Sequence, residues 1–173
     1  MLLDKFIKTG QNFLGCKFPI MCGAMTWVSD SKLIGALGNA GGFGLLAGGN
    51  TPVNILEKEI IATREYTEAP FGVNLITIAP VYKDQLSLVC DMHCELVMFA
   101  GSIPKDSEIQ QVKDTGAKVI CFAPTPPLAH RLIKMGADAL MIEGAEAGGH
   151  IGPVSLSVLL QNILFEIDSV TVF

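Results

Sequence analysis

The residues best suited to chemistry lie in one stretch, Glu143-Gly-Ala-Glu-Ala-Gly-Gly-His150-Ile-Gly152, directly after the apolar burst Ala139-Leu-Met-Ile142. An imidazole changes charge near neutral pH and can take or return a proton. Gly148, Gly149 and Gly152 around it free the backbone to adopt positive φ and to approach a flat or anionic ligand. Glu143 and Glu146 are near enough in sequence for one of them to orient His150 or raise its pKa. A lone histidine is more often a satisfied structural residue, but its position past a strand's carboxyl end, among glycines, favours function. His93 and His130 have no such setting, and His130 reads as helix surface.

Two further segments could contact a ligand. Cys22-Gly23-Ala24-Met25-Thr-Trp27 offers small residues against which a planar molecule could lie, with Met25 and Trp27 as apolar walls; the alternative is an ordinary loop in which Trp27 packs on the core. Asn74 interrupts the apolar run Gly72-Val-Asn-Leu75, and a carboxamide there can donate and accept at the edge of a heteroaromatic ring. The competing reading is a turn asparagine bonding its own backbone. Gly42-x-Gly44 does not continue into G-x-G-x-x-G and precedes its strand, which excludes a dinucleotide fingerprint. Those glycines instead suit tight turns on either side of the second strand. Cys90-x-x-His93-Cys94 lacks a second ligand pair, so buried or half-buried thiols are expected there rather than a metal.

The elements that must position these groups alternate strictly. Strands are predicted near Phe18–Met21, Gly44–Ala47, Phe71–Leu75, Leu96–Phe99, Lys118–Ala123, Ala139–Ile142 and Ser169–Phe173. Helices are predicted at Ser31–Ala40, Pro52–Thr67, Val81–Cys90, Lys105–Thr115, Pro126–Met135 and Leu156–Leu164. Thr51 before Pro52 and Thr125 before Pro126 read as an N-cap followed by proline at the first helical position. Gly116 and Gly136 read as helix stops. One βα unit recurs every 20–30 residues, the mark of a parallel sheet with crossover helices. Ligands of such folds bind at the carboxyl ends of the strands. The fold class is therefore α/β, a TIM (β/α)8-type barrel truncated after about six βα units plus the start of strand seven. Residues 1–173 form a single N-terminal portion of it, without the C-terminal phosphate-binding part.

Composition narrows the partners. Of 173 residues, 50% are hydrophobic and 17% charged, but no run reaches the roughly 18 apolar residues of a membrane span. A net charge of −5 speaks against nucleic acid and anionic membrane. Asp4 and Lys5 would interrupt any signal core, so a cytoplasmic location is expected. Five cysteines without disulfide-like spacing fit free thiols.

The segments Pro19-Ile-Met-Cys-Gly-Ala-Met-Thr-Trp27, Ala40-Gly-Gly-Phe-Gly44, Gly48-Gly-Asn50, Pro70-Phe-Gly-Val-Asn74 and Glu143 to Gly152 together resemble the nitronate monooxygenase (2-nitropropane dioxygenase-like) family, which includes the FMN-dependent enoyl-[acyl-carrier-protein] reductases II. The resemblance runs from about residue 13 to the end of the chain. It implies an FMN-binding barrel in which Gly23, Ala24 and Met25 lie along the flavin, Asn74 contacts its ring, Glu143 and Gly148 line the site, and His150 is catalytic. The activity it implies is oxidation of alkyl nitronates by O2, with His150 as acid or base. The alternative is NAD(P)H-dependent reduction of enoyl thioesters. Glu143 tilts toward the latter, because nitronate-oxidising members commonly have glutamine there and a carboxylate facing an anionic nitronate is unfavourable. Phosphate binding in such barrels uses loops after strands seven and eight, which this chain lacks. A complementary C-terminal half, or a homodimer covering the open edges, is the expected partner besides the small-molecule substrate. A chain of this length could also be a non-catalytic truncated or split-gene remnant.

Overall fold

A computed structural model describes residues 2–149 and 151–173, with side chains from Ile7 onward. In chain order the elements are α1 (Leu2–Leu14), β1 (Met21–Cys22), α2 (Ser31–Asn39), β2 (Phe43–Ala47), α3 (Val53–Tyr66), β3 (Gly72–Ile76), α4 (Tyr82–Asp91), β4 (Leu96–Ala100), α5 (Asp106–Lys113), β5 (Lys118–Phe122), α6 (Pro126–Met135), β6 (Ala139–Met141), α7 (Leu156–Leu164) and β7 (Thr171–Val172). The seven strands form one sheet in the order β1-β2-β3-β4-β5-β6-β7. Every neighbouring pair is parallel. The sheet is a half-barrel wrapped by helices, as the alternation predicts.

Side-chain alternation along the strands separates two cores. Val73, Leu75, Val97, Phe99, Val119, Cys121 and Leu140 face outward and pack under the helices. Phe43, Leu45, Leu96, Met98, Ile120 and Ala139 face inward with Leu14. Gly72 belongs to this inner layer. A Cβ there would stand 2.7 Å from the side chains of both Leu45 and Leu96, so only glycine lets the two leucines meet.

The sequence reading placed no element before Phe18, yet α1 is the floor of the half-barrel. Phe13 packs on Phe173 with ring centroids 5.6 Å apart, and the Lys118 ammonium bonds the Phe13 carbonyl at the helix's end. A Cβ on Gly10 would lie 2.6 Å from Pro19 and 3.7 Å from Phe173. The lead-in to β1 and the end of β7 thus converge on one helix, which shows how far the sheet has curled. The first strand also starts later than predicted. Pro19 has no N–H for a ladder, and Phe18 and Ile20 are 46% and 68% exposed on the open edge.

The α4–α5 contact is pinned by a buried carboxylate. Glu108 accepts from Tyr82 Oη at 2.7 Å and from the backbone N–H of Lys105 at 2.9 Å, and it pairs with Lys83. Burial alone would raise its pKa, but these donors together hold it below the ordinary value; burial and the same bond push the Tyr82 phenol upward. Asp138 links Lys113 to the backbone N–H of Val119. His130 lies on the α6 surface, 3.5 Å from Glu166. Among the described residues no helix is long and apolar enough to cross a membrane.

Candidate active site

The carboxyl ends of the strands carry most of the residues singled out from sequence. The loop after β1 is exposed at Gly23 and Met25, and a Cβ on Gly23 would meet nothing within 4 Å. Ala24 packs against the inner core. Trp27 does not pack on the core: it is 72% exposed, with φ 64°, a left-handed conformation uncommon for a bulky side chain. The loop keeps its shape through Ser29, which sequence reasoning missed. Its buried hydroxyl accepts from the Met25 N–H and donates to the Gly23 carbonyl, both at 3.0 Å. A small polar residue beside the helix cap Asp30 was the only signal available, and many serines carry it.

Asn74 lies inside β3 rather than in a turn, which removes the turn reading. It is 7% exposed, and its amide reaches the Met98 carbonyl only at 3.5 Å, the outer limit of a hydrogen bond. The loop after β2 joins it to the β1 loop. Gly48 N–H donates to the Asn74 carbonyl at 2.9 Å, and a Cβ on Gly49 would lie 3.3 Å from Thr26 Oγ1 and 3.6 Å from Ile76. Gly49 has φ 45° and Gly41 φ 92°, the tight turns expected on both sides of β2. Thr51 does not cap α3; its hydroxyl bonds the Ala47 carbonyl, and Pro52 holds the cap position.

On the opposite side, Glu143 is half-buried just past β6. The loop after it is closed at its base, where Ala145 N–H meets the Val154 carbonyl at 2.8 Å. A Cβ on Gly152 would clash with the Glu143 carbonyl at 2.5 Å, whereas one on Gly148 or Gly149 would meet nothing within 4 Å among the described residues. Glu146 is committed elsewhere: its carboxylate accepts the Leu156 N–H at 2.7 Å, at the positive end of α7. Of the two candidate partners for His150, Glu146 is thus the one engaged by that helix. His150 itself lies outside the described residues. The structure joins Gly23, Ala24, Met25 and Asn74 through one network of loops; it brings Glu143 and Gly148 to the same end of the sheet, five strands from β1.

Two clefts of about 250 and 290 Å³ lie at the amino ends of the strands around Pro70, Phe71, Cys94 and Glu95. That face lies at the other end of the sheet from Gly23, Asn74, Glu143 and Gly148, and none of these lines the clefts. In parallel barrels the amino-end face serves stability rather than chemistry, so the carboxyl-end loops are the candidate site.

The family model for nitronate monooxygenase matches residues 8–86 and 76–170. The chain belongs to the nitronate monooxygenase family. It is 34% identical over 151 residues to the (3aS,4S,5R,7aS)-5-hydroxy-7a-methyl-1-oxo-octahydro-1H-indene-4-carboxyl-CoA dehydrogenase of Mycobacterium tuberculosis, a match covering 87% of this chain and 42% of that protein. It is 27% identical over 177 residues to a probable nitronate monooxygenase of Staphylococcus saprophyticus, covering 82% of this chain and 50% of that one. Its structure is similar to FabK from Thermotoga maritima, with TM-score 0.89 and 33% identity over 94% of this chain and 51% of FabK. Nitroalkane oxidase from Streptomyces ansochromogenes gives TM-score 0.86 and 25% identity over 94% of this chain and 59% of the oxidase. The chain spans about half the length of these relatives. Their names describe a dehydrogenase, a monooxygenase and an oxidase.

Proposed function

We propose that this chain supplies the ring-facing part of an FMN-dependent oxidoreductase site. The observation that carries the reading is the pair of open glycine surfaces, Gly23 on one side and Gly148–Gly149 on the other, with the nearly buried carboxamide of Asn74 between their strands. These residues fit a planar heteroaromatic ring: glycine backbone permits close approach, and the amide can donate or accept at a ring edge. Bound FMN supplies the two-electron chemistry. Gly23, Ala24 and Met25 lie along the ring, and Asn74 contacts its polar edge. His150 takes or returns a proton on the substrate, and Glu143 lines the site beside it. In such barrels the flavin phosphate is held by loops after strands seven and eight, and a complementary C-terminal half is the partner proposed to supply them.

Two substrate classes remain, and the observations favour an acyl thioester. A half-buried carboxylate at Glu143 repels an anionic nitronate but tolerates a neutral thioester carbonyl. The relative at 34% identity is named for a CoA thioester, against 27% for the one named as a probable nitronate monooxygenase. In this reading His150 handles the proton on carbon next to the activated carbonyl. Oxidation of alkyl nitronates by O2 is the second reading, supported by the family model itself. The test is an assay of the chain with FMN against enoyl-CoA with NAD(P)H and against an alkyl nitronate with O2, with His150→Ala as control. Thioester turnover lost in the variant supports the first reading, and nitronate turnover alone supports the second. Bound FMN with neither activity would leave a non-catalytic remnant.

A further inference from the structure

Gln85 is wholly buried in α4, with no side-chain surface exposed to solvent. Its Nε2 donates to three carbonyls of the loop after β2: Thr51 at 2.7 Å, Gly48 at 3.2 Å and Gly49 at 3.4 Å. Its Oε1 has no hydrogen-bond partner among the described residues. Turning the amide over would aim that oxygen at three carbonyl oxygens, so the orientation is fixed by the loop. A buried acceptor left unsatisfied is unfavourable, and an apolar residue would avoid it. The side chain is explained by what its nitrogen holds.

What it holds is the hub of the candidate site. A Cβ on Gly48 would come within 2.3 Å of the Asn74 carbonyl, so the loop presses directly on the backbone of β3 at Asn74. On the other flank Gly49 faces Thr26 of the β1 loop. We infer that Gln85 is a positioning residue: acting from behind the sheet through Gly48 and Gly49, it sets the Asn74 carboxamide and the Gly23–Met25 loop in register for the ring of the bound cofactor. This inference rests on the flavin reading above, and no part of Gln85 touches the ring.

The test compares the chain with Gln85→Met, which fills similar volume without a donor, and with Gln85→Glu. Amide hydrogen exchange is read at Gly48, Thr51 and Leu75, with α6 as remote control, and FMN affinity is read by the perturbation of the flavin spectrum. Gln85→Met should exchange at least tenfold faster at the loop amides with α6 unchanged, and should bind FMN at least tenfold more weakly. Gln85→Glu should recover part of that affinity relative to the parent chain as the pH is lowered, because only the protonated carboxyl can donate to the Thr51 carbonyl. Unchanged loop exchange, or faster loop exchange with unaltered FMN affinity and spectrum, would overturn the inference. If the parent chain itself failed to perturb the flavin spectrum, the functional reading would fall, and the positioning of Asn74 for a ring would fall with it. The exchange data would then still report whether Gln85 holds the loop, which separates the two failures.

Discussion

Replacing Ser29 by alanine removes one hydroxyl and two hydrogen bonds, to the Met25 N–H and the Gly23 carbonyl. A typical intramolecular hydrogen bond contributes about 0.5–1.5 kcal/mol net, which would total about 1–3 kcal/mol. Gly23 and Met25 are exposed, so water can replace much of what is lost, and the cost belongs at the lower end, about 1–1.5 kcal/mol. For a chain of this size that lowers Tm by about 2–6 °C. The same energy, charged against ordering the loop for a ligand, weakens FMN binding about 5–10-fold, since about 1.4 kcal/mol is tenfold. Thermal unfolding and a flavin fluorescence titration on the same samples read both effects. A lower Tm with FMN affinity unchanged would refute the reasoning, because it would mean the Gly23–Met25 loop need not be ordered for the ring.

Leu14→Ala, at a site 2% exposed in the barrel floor, should cost about 2–5 kcal/mol, measurable by urea denaturation. A loss under 1 kcal/mol would mean that α1 is only laid against the strands. Glu108→Gln should destabilise by about 1–2 kcal/mol at pH 7 through its bonds to Tyr82 and Lys105, with little from Lys83, whose side chain is 63% exposed. The folded-state pKa of Glu108 lies below its ordinary 4.5, so its contribution is present above that value and lost as pH falls through the folded one. The gap between parent and variant should accordingly close as pH drops below 4.5. Burial holds the Cys94 and Cys121 thiols up at about 11 and about 12. In the native chain at pH 8 these two should resist a thiol reagent that labels all five cysteines in denaturant.

The order and direction of the strands were legible because each inner strand is a saturated apolar burst, such as Val119–Phe122, bounded by turn residues. Gly136 was read as a helix stop and is one, with φ 109° and its N–H on the Leu132 and Ile133 carbonyls. Helix α1 was not legible. Its local signal is one glycine stop, Gly15 with φ 69°, and what fixes it is Phe13 meeting Phe173 and Lys118, contacts more than 100 residues apart. The candidate site divides the same way. Glycines and a histidine after a strand announce themselves locally, whereas Ser29 and Gln85 act through backbone carbonyls that only the fold brings near. Glu146 illustrates the limit: spacing offered it to His150, but the start of α7 claims its carboxylate.

The most direct test of the central claim is retention of FMN by the purified chain through a desalting column, with the flavin absorbance band followed before and after. Stoichiometric retention with a perturbed spectrum, weakened by Asn74→Ala, is the result this account predicts. A chain that folds, yet returns all of its flavin unperturbed, would contradict the assignment of the carboxyl-end loops as a flavin site.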